Sequence, residues 1–275
     1  MSTRRTGSLL GALVALVCRG ARAAPLPEHG YGLPRDVSYD GFRIDELIHF
    51  TLAAITVIFV VVAAALIWSF VRYRRDRPAL YTHGTGGSIG VVVGSVAVVL
   101  FAVDGNLFVH TIHDMHQYFW NFARAEAAPG AVRIEVTAHQ WSWEARYAGP
   151  DGKFGTPDDV ITTDDVRVPV GVPVVVQLAS TDVIHSMNLP NFRVKQDAVP
   201  GAVTWLTFHP KIPGEYEIAC AQHCGANHYK MRGILTVLPQ DVFSAWLAAA
   251  GQDARRAYDS EDSEAHWGWE WRTQP

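Results

Sequence analysis

Charge is scarce in this sequence: only 18% of its 275 residues are Asp, Glu, Lys or Arg, and the formal net charge is −4. No basic stripe and no interleaving of basic with aromatic residues runs along it, which excludes a nucleic-acid binder. With charge low and 49% of the residues hydrophobic, membrane content is implied. Cysteine is scarcer still, at three residues, Cys18, Cys220 and Cys224. None stands in a Cys-x-x-Cys-His sequence, so a covalently attached c-type haem is excluded as well.

The N-terminal part reads as targeting followed by membrane. Arg4 and Arg5, the apolar run Leu9 to Val17 and Ala21-Arg22-Ala23 resemble a secretory signal peptide over 1–23, with the mature chain starting near Ala24. An uncleaved anchor is the alternative, although the apolar core is short for a span. Val17 is not the small residue that a lipoprotein cleavage site places before its cysteine, so Cys18 leaves with the signal and two cysteines remain. Residues 24–47 form an extended lead-in, because Pro25 to Tyr39 is rich in Pro and Gly with no apolar period. A transmembrane helical hairpin is expected over 48–110. Its first arm, Ile48 to Val71, is long enough to cross a bilayer, and Arg72, Arg74, Arg75 and Arg77 follow at once. By the positive-inside bias that cluster is cytoplasmic and the mature N-terminus lies outside. Past Gly84, Gly86 and Gly87, Ile89 to Val103 reaches spanning length only with Asp104 to Val109. Asp104 either marks the outer boundary or faces protein, since facing lipid is costly. His110, His113 and His116 have helix-compatible spacing that suggests a metal, but solvated or partner-facing histidines explain it as well.

From Ala131 the texture changes to short β-branched and alternating runs: Val132 to Ala138, Trp141 to Tyr147, Val166 to Val170, Val172 to Leu178, Val203 to Phe208, Glu215 to Ala219 and Ile234 to Leu238. Gly and Pro punctuate them, which predicts a Greek-key β-sandwich over 130–239. The fold class is therefore an α+β membrane protein, a two-helix hairpin followed by an all-β domain. The insert Gly149 to Asp159 reads as a solvated hairpin turn; its aspartates lack the ligand order and terminal Glu of a calcium loop. Residues 240–275 make a C-terminal helix and tail, with Asp241 capping a helix to about Ala250. Trp267, Trp269 and Trp271 in the tail suit packing on a partner or a membrane surface.

One loop organises the rest: Cys220-Ala221-Gln222-His223-Cys224-Gly225-Ala226-Asn227-His228-Tyr229-Lys230-Met231. Thiolate and thioether sulfur with imidazole nitrogen select copper over hard cations, and Cys224, His228 and Met231 supply the set of a blue-copper site. Cys220 adds a second thiol that can face the same cavity and bridge two ions. A second histidine must come from elsewhere, and His185 stands where the strand of Val172 to Leu178 ends and a loop begins. Two plainer readings stay open at this point: a Cys220–Cys224 disulfide, or cysteines that merely fill the core. Zinc is a weaker rival because it has little use for methionine.

These residues resemble the dinuclear CuA domain of subunit II of haem-copper oxidases, and the likeness runs from the membrane segments to about Pro239. The resemblance implies a cupredoxin fold in which Cys220 and Cys224 bridge two coppers and His185 and His228 each cap one. Met231 would be a weak axial ligand to one copper, and Gln222 would give its backbone carbonyl to the other. His139-Gln140-Trp141-Ser142-Trp143 matches the family's aromatic segment, in which Trp141 receives the electron. Strand alternation puts Trp141 and Trp143 on one face, where both could equally be packing aromatics. Asp182 and the run Lys195 to Gly201 also fit.

The implied function is subunit II of a respiratory cytochrome c oxidase. It accepts electrons from a mobile donor of cytochrome c type, a separate protein since no haem is attached here, and passes them to haem in subunit I for oxygen reduction coupled to proton translocation. The implied place is the bacterial inner membrane, with the copper domain on the periplasmic face. The CuA subunit of a nitric oxide reductase and a membrane-tethered copper carrier are the alternatives, whereas a quinol oxidase subunit would lack the copper ligands. Three departures stand out. The family often has Glu where this chain has Gln222, so an interfacial magnesium or manganese ion does not carry over. Ala202 replaces an Arg common after the Pro-Gly, and Ser88-Ile89-Gly90-Val91 lacks the Glu, Trp and Pro that often open the second membrane helix, so no proton-channel role is assigned there.

Overall fold

The computed structural model describes residues 32–75, 87–258 and 261. The signal-like segment with Cys18, the loop bearing Arg77, Gly84 and Gly86, and the tail tryptophans Trp267, Trp269 and Trp271 lie outside the described residues. Two compact units are distinguished, 1–36 and 37–275. The described residues of the first contain no helix or strand.

In the second unit, helix α1 spans Gly41–Arg72 and so starts well ahead of the apolar run at Ile48. Its 32 residues rise about 48 Å at 1.5 Å each, more than the ~30 Å of a hydrocarbon core. The extra turns at its outer end carry Arg43 and Asp45, which are spent on contacts with the rest of the protein. The second arm comprises α2 (Gly87–Val99), a π-helical segment (Leu100–Asp104), α3 (Gly105–Asp114) and another π-helical segment (Met115–Phe119). Among the described residues these two arms are the ones apolar and long enough to cross a membrane. The arms meet at their outer ends. Arg43 reaches Asp114 Oδ1 at 3.4 Å, lies 3.5 Å above the Tyr118 ring and has Asp40 Oδ1 at 3.8 Å, so a cation otherwise costly beside lipid is well paired. A short helix, α4 (Phe122–Glu126), leads into the β domain.

The expected β-sandwich is present, as two five-stranded sheets. One has the order β3-β2-β1-β5-β8: β3 (Val160–Thr163), β2 (Ser142–Tyr147), β1 (Val132–His139), β5 (Val174–Ser180) and β8 (Thr204–Phe208). The other has the order β4-β10-β9-β6-β7: β4 (Asp165–Pro169), β10 (Arg232–Leu238), β9 (Gly214–Cys220), β6 (His185–Leu189) and β7 (Val194–Ala198). β1 runs parallel to β5 and β10 parallel to β4, while the other neighbours are antiparallel, so the chain crosses repeatedly between sheets. Trp143, Tyr147, Ile134, Leu178, Met187, Phe192, Ile218 and Leu235 fill the space between them and are essentially inaccessible. Each such side chain contributes roughly 1.5–3 kcal/mol of burial.

Three expectations need correction. Trp141 is not in a strand but in the tight turn before β2, so pleat alternation does not relate it to Trp143. Asp241 lies in the first turn of α5 (Gln240–Ala257) rather than capping it; Phe243 and Trp246 pack its first turns on Tyr147, and the helix runs beyond Ala250, where Gly251 is buried and Arg255 bonds Asp158. The β2–β3 insert is not a merely solvated turn. Asp158 is buried and accepts from Thr156 Oγ1 at 2.8 Å and from Arg255 of α5 at 3.1 Å, and Asp159 accepts from Arg146 Nε at 2.6 Å and the Gly155 N–H at 2.7 Å. These carboxylates are already bonded by donors, which is why the loop resembles a calcium site only in composition.

Candidate metal centre

Strand pairing assembles the site. β9 and β10 are antiparallel with Ala219 opposite Arg232, so the loop between them has Cys220 and Met231 at its two feet. The Cys220 N–H donates to the Met231 carbonyl at 3.2 Å and closes it. β6 pairs with the end of β9, Met187 opposite Cys220, and the Ala221 N–H donates to the Ser186 carbonyl at 2.9 Å. His185 is thereby carried to the same end of the sandwich. It opens a strand there rather than a loop, since β5 ends at Ser180 and the chain turns back to start β6.

The side-chain donors converge. Cys220 Sγ and Cys224 Sγ are 3.7 Å apart and both cysteines are free, which removes the disulfide reading. His185 Nδ1 lies 3.1 Å from Met231 Sδ and 4.0 Å from Cys220 Sγ. Cys224 Sγ lies 3.7 Å from Met231 Sδ and 3.5 Å from His228 Nδ1. The Gln222 carbonyl is 3.2 Å from Cys220 Sγ, while the Gln222 side chain is exposed. All six residues expected from the sequence are thus neighbours. His185, Cys224 and Met231 are buried, whereas Cys220 and His228 are partly so.

The surroundings prepare these donors. His185 Nε2 is 2.9 Å from Asp182 Oδ1; a carboxylate accepts, so Nε2 carries the proton and Nδ1 presents its lone pair inward. Burial raises the Asp182 carboxyl, but hydrogen bonds from His185 and from the Val183 and Gln140 N–H groups outweigh it, and its pKa falls below the ordinary carboxylate value. Burial, with Cys220 alongside, pushes the metal-free Cys224 thiol up to about 11. A metal ion held by Cys224 would therefore have to displace that thiol's proton. Two thiols, two imidazole nitrogens and a thioether around one largely buried space, with no carboxylate among them, form a donor set that fits copper and is poor for hard cations.

Beside this cluster sits the β1–β2 turn. The Trp141 indole Nε1–H donates to the Cys224 carbonyl at 3.2 Å, and the Gln140 carboxamide donates to the same oxygen at 2.8 Å. Trp143, two residues on, is wholly buried with its ring centroid 6.1 Å from that of His185. Gly225 permits the turn to approach, because its φ is +117° and a Cβ there would meet Gln140 Nε2 at 2.8 Å. Neither Gln140 nor Gly225 was given a role from the sequence; their signal was membership of the aromatic segment and of the cysteine loop. His110, His113 and His116 are exposed on the second arm, and among the described residues His185, Cys220 and Cys224 are the close His/Cys/acid group of metal-binding geometry.

Comparison with known proteins bears on what this centre belongs to. The family profile "Cytochrome C oxidase subunit II, periplasmic domain" matches residues 150–238. Cytochrome c oxidase subunit 2 of Thermostichus vulcanus is 30% identical over 257 residues, covering 79% of this chain and 78% of that protein. The chain belongs to the cytochrome c oxidase subunit II family. The subunit 2 of Cereibacter sphaeroides is 27% identical over 90% of this chain and 92% of its own length. The alternative cytochrome c oxidase subunit 2 of Bradyrhizobium diazoefficiens is 36% identical over 42% of this chain, and this chain spans only 50% of that protein. Among solved structures, the periplasmic domain of subunit II of cytochrome oxidase (CoxB) of Bradyrhizobium japonicum aligns with a TM-score of 0.40 at 27% identity, over 44% of this chain and 94% of that one. As a subunit II of the haem-copper cytochrome c oxidases, the chain is a membrane-anchored component of an oxidoreductase complex, carrying the family's periplasmic domain.

Proposed function

We propose that this subunit holds a dinuclear copper centre through His185, Cys220, Cys224, His228, Met231 and the Gln222 carbonyl, and that Trp141 receives electrons from a soluble c-type cytochrome for delivery to haem in subunit I. The observation that carries this is the joining of the converged donors to a partly buried indole through the Cys224 carbonyl. When bound, the copper pair supplies a one-electron acceptor. The chain's own residues do the rest. Cys220 and Cys224, with sulfurs 3.7 Å apart, would both hold the copper, and His185 and His228 would complete the set, approaching the sulfur pair from separate strands and turns. Asp182 fixes the tautomer of His185. Trp141 gives an arriving electron a route of one hydrogen bond into the backbone of Cys224. His185, Cys224 and Met231 are buried, so that side of the site is shielded from water.

In this reading the periplasmic face of the bacterial inner membrane holds the copper domain, in keeping with Arg72, Arg74 and Arg75 at the far end of α1. The interfacial magnesium or manganese ion is not included, because Gln222 offers no carboxylate. Metal analysis and electron paramagnetic resonance of the purified full chain test the proposal. The expected result is two coppers per chain and, in the mixed-valence state, a hyperfine pattern from two equivalent nuclei; one copper with a single-nucleus pattern overturns it. The haem spectrum of the accompanying large subunit, with its turnover on oxygen against nitric oxide, then identifies the terminal acceptor.

A further inference from the structure

We infer that Gln140 is a positioning residue for Trp141, holding the indole on the Cys224 carbonyl by donating its own carboxamide hydrogen to that same oxygen. The inference deepens the proposed function and rests on Trp141 being the electron-receiving residue.

Gln140 and Trp141 alone make the turn between β1 and β2, since His139 already pairs with Ser142. A two-residue tip that projects from a sheet has few neighbours to fix its side chains, and glutamine at an exposed turn is ordinarily solvated. Gln140 is exposed, yet two of its polar groups are engaged by the protein. Its N–H donates to Asp182 Oδ2 at 2.6 Å, and its Nε2 donates to the Cys224 carbonyl at 2.8 Å, a shorter bond than the 3.2 Å one from Trp141 Nε1. A carbonyl oxygen has two lone pairs, so both donors are accommodated, and the shorter bond holds the turn while the indole occupies the remaining lobe. Gly225 keeps the slot open. A Cβ at that position would stand 2.8 Å from Gln140 Nε2 and 3.3 Å from Trp141 Cζ2. Through Asp182, which also holds His185, Gln140 ties the turn to both halves of the centre. It touches the backbone of Cys224 and none of the donor atoms, so its effect on electron arrival runs through the placement of Trp141.

The test uses the full chain with 15N-labelled tryptophan, copper-free and copper-loaded, carrying Gln140→Ala or Gln140→Glu. Glutamate keeps the length of the side chain, but its ionised carboxylate cannot donate to the carbonyl. In the copper-free chain the Trp141 indole N–H, assigned by its loss in Trp141→Phe, should exchange with solvent several-fold to about tenfold faster in both variants, the factor one net hydrogen bond corresponds to. The Trp143 indole should not change. In the loaded chain, copper content and paramagnetic spectrum should stay as in the wild type while reduction by a c-type cytochrome slows several-fold. Unchanged exchange at Trp141 overturns the inference, as does a slower reduction with an unmoved indole, which would place Gln140 at the donor contact instead. A rise shared by Trp143 marks general loosening of the sheet and overturns it too. Trp141→Phe separates the two levels: an unchanged reduction rate there removes Trp141 from the path, while indole exchange still decides what Gln140 does.

Discussion

Arg193 and Asp45, 148 residues apart in sequence, form a two-pronged ion pair, Nε to Oδ1 at 2.7 Å and Nη2 to Oδ2 at 3.1 Å. The Arg193 side chain is only 5% exposed and that of Asp45 22%, so solvent screens the pair weakly. It fastens the outer end of α1 to the turn between β6 and β7, and a third bond from Arg193 Nη1 to the Pro190 carbonyl at 2.6 Å fixes the guanidinium. A double-mutant cycle of Arg193→Ala and Asp45→Ala, read by denaturant unfolding of the full chain in detergent, should give a coupling energy of about 1–2 kcal/mol. Additive single effects would show that the pair does not join the two parts.

Asp182→Ala should leave the fold intact but release the tautomer of His185, since the carboxylate is what keeps the Nε2 proton in place. Copper affinity should fall by about 10–100-fold, the usual cost of losing the partner of a ligating histidine. Competition with a chelator measures it, and an unchanged affinity would mean that packing against Trp143 alone orients the ring.

Cys220→Ser and Cys224→Ser should differ in severity. Removing Cys220 leaves Cys224, His228, Met231 and His185, the composition of a single blue-copper site, and should give one copper with an ordinary single-nucleus spectrum. Cys224 is the more buried thiol and neighbours Cys220, His228 and Met231, so its loss should abolish or nearly abolish binding. Equal residual copper in the two variants would contradict this ordering.

Acid should loosen the C-terminal helix through Asp158. Burial raises this carboxyl, but the hydrogen bonds from Thr156, the Asp151 N–H and Arg255 outweigh it and its pKa lies below the ordinary value. A depressed folded pKa contributes stability that is present above the unfolded value of about 3.9 and is lost as pH falls through the lower folded value. Near-ultraviolet circular dichroism, to which the Tyr147–Trp246 edge-to-face pair contributes, should therefore show a transition below about pH 3.9 that Asp158→Asn removes. The same transition in the variant would assign it to another group.

What the sequence determined by itself is what short-range chemistry dictates. Apolar length and the arginines after Val71 announce the membrane arm, β-branched runs announce a sandwich, and the spacing of Cys220, Cys224, His228 and Met231 within one loop announces a soft-metal pocket. His185 was legible only because such a pocket needs a ligand from outside the loop. The strands β3, β6 and β7 were not legible: Val160–Thr163 is short, and His185–Leu189 and Val194–Ala198 mix polar with apolar residues because cross-strand pairing, not alternation, makes them strands. Tertiary structure alone decided that the thiols are free, that Trp141 sits in a turn bonded to the Cys224 carbonyl, and that Gln140, Gly225 and Asp182 hold that turn. It also decided that Asp158 and Arg255, 97 positions apart, clamp the last helix. Each of these depends on a contact between distant segments, whose partner no local periodicity encodes, and whose strength comes from burial that exists only once the two sheets have closed.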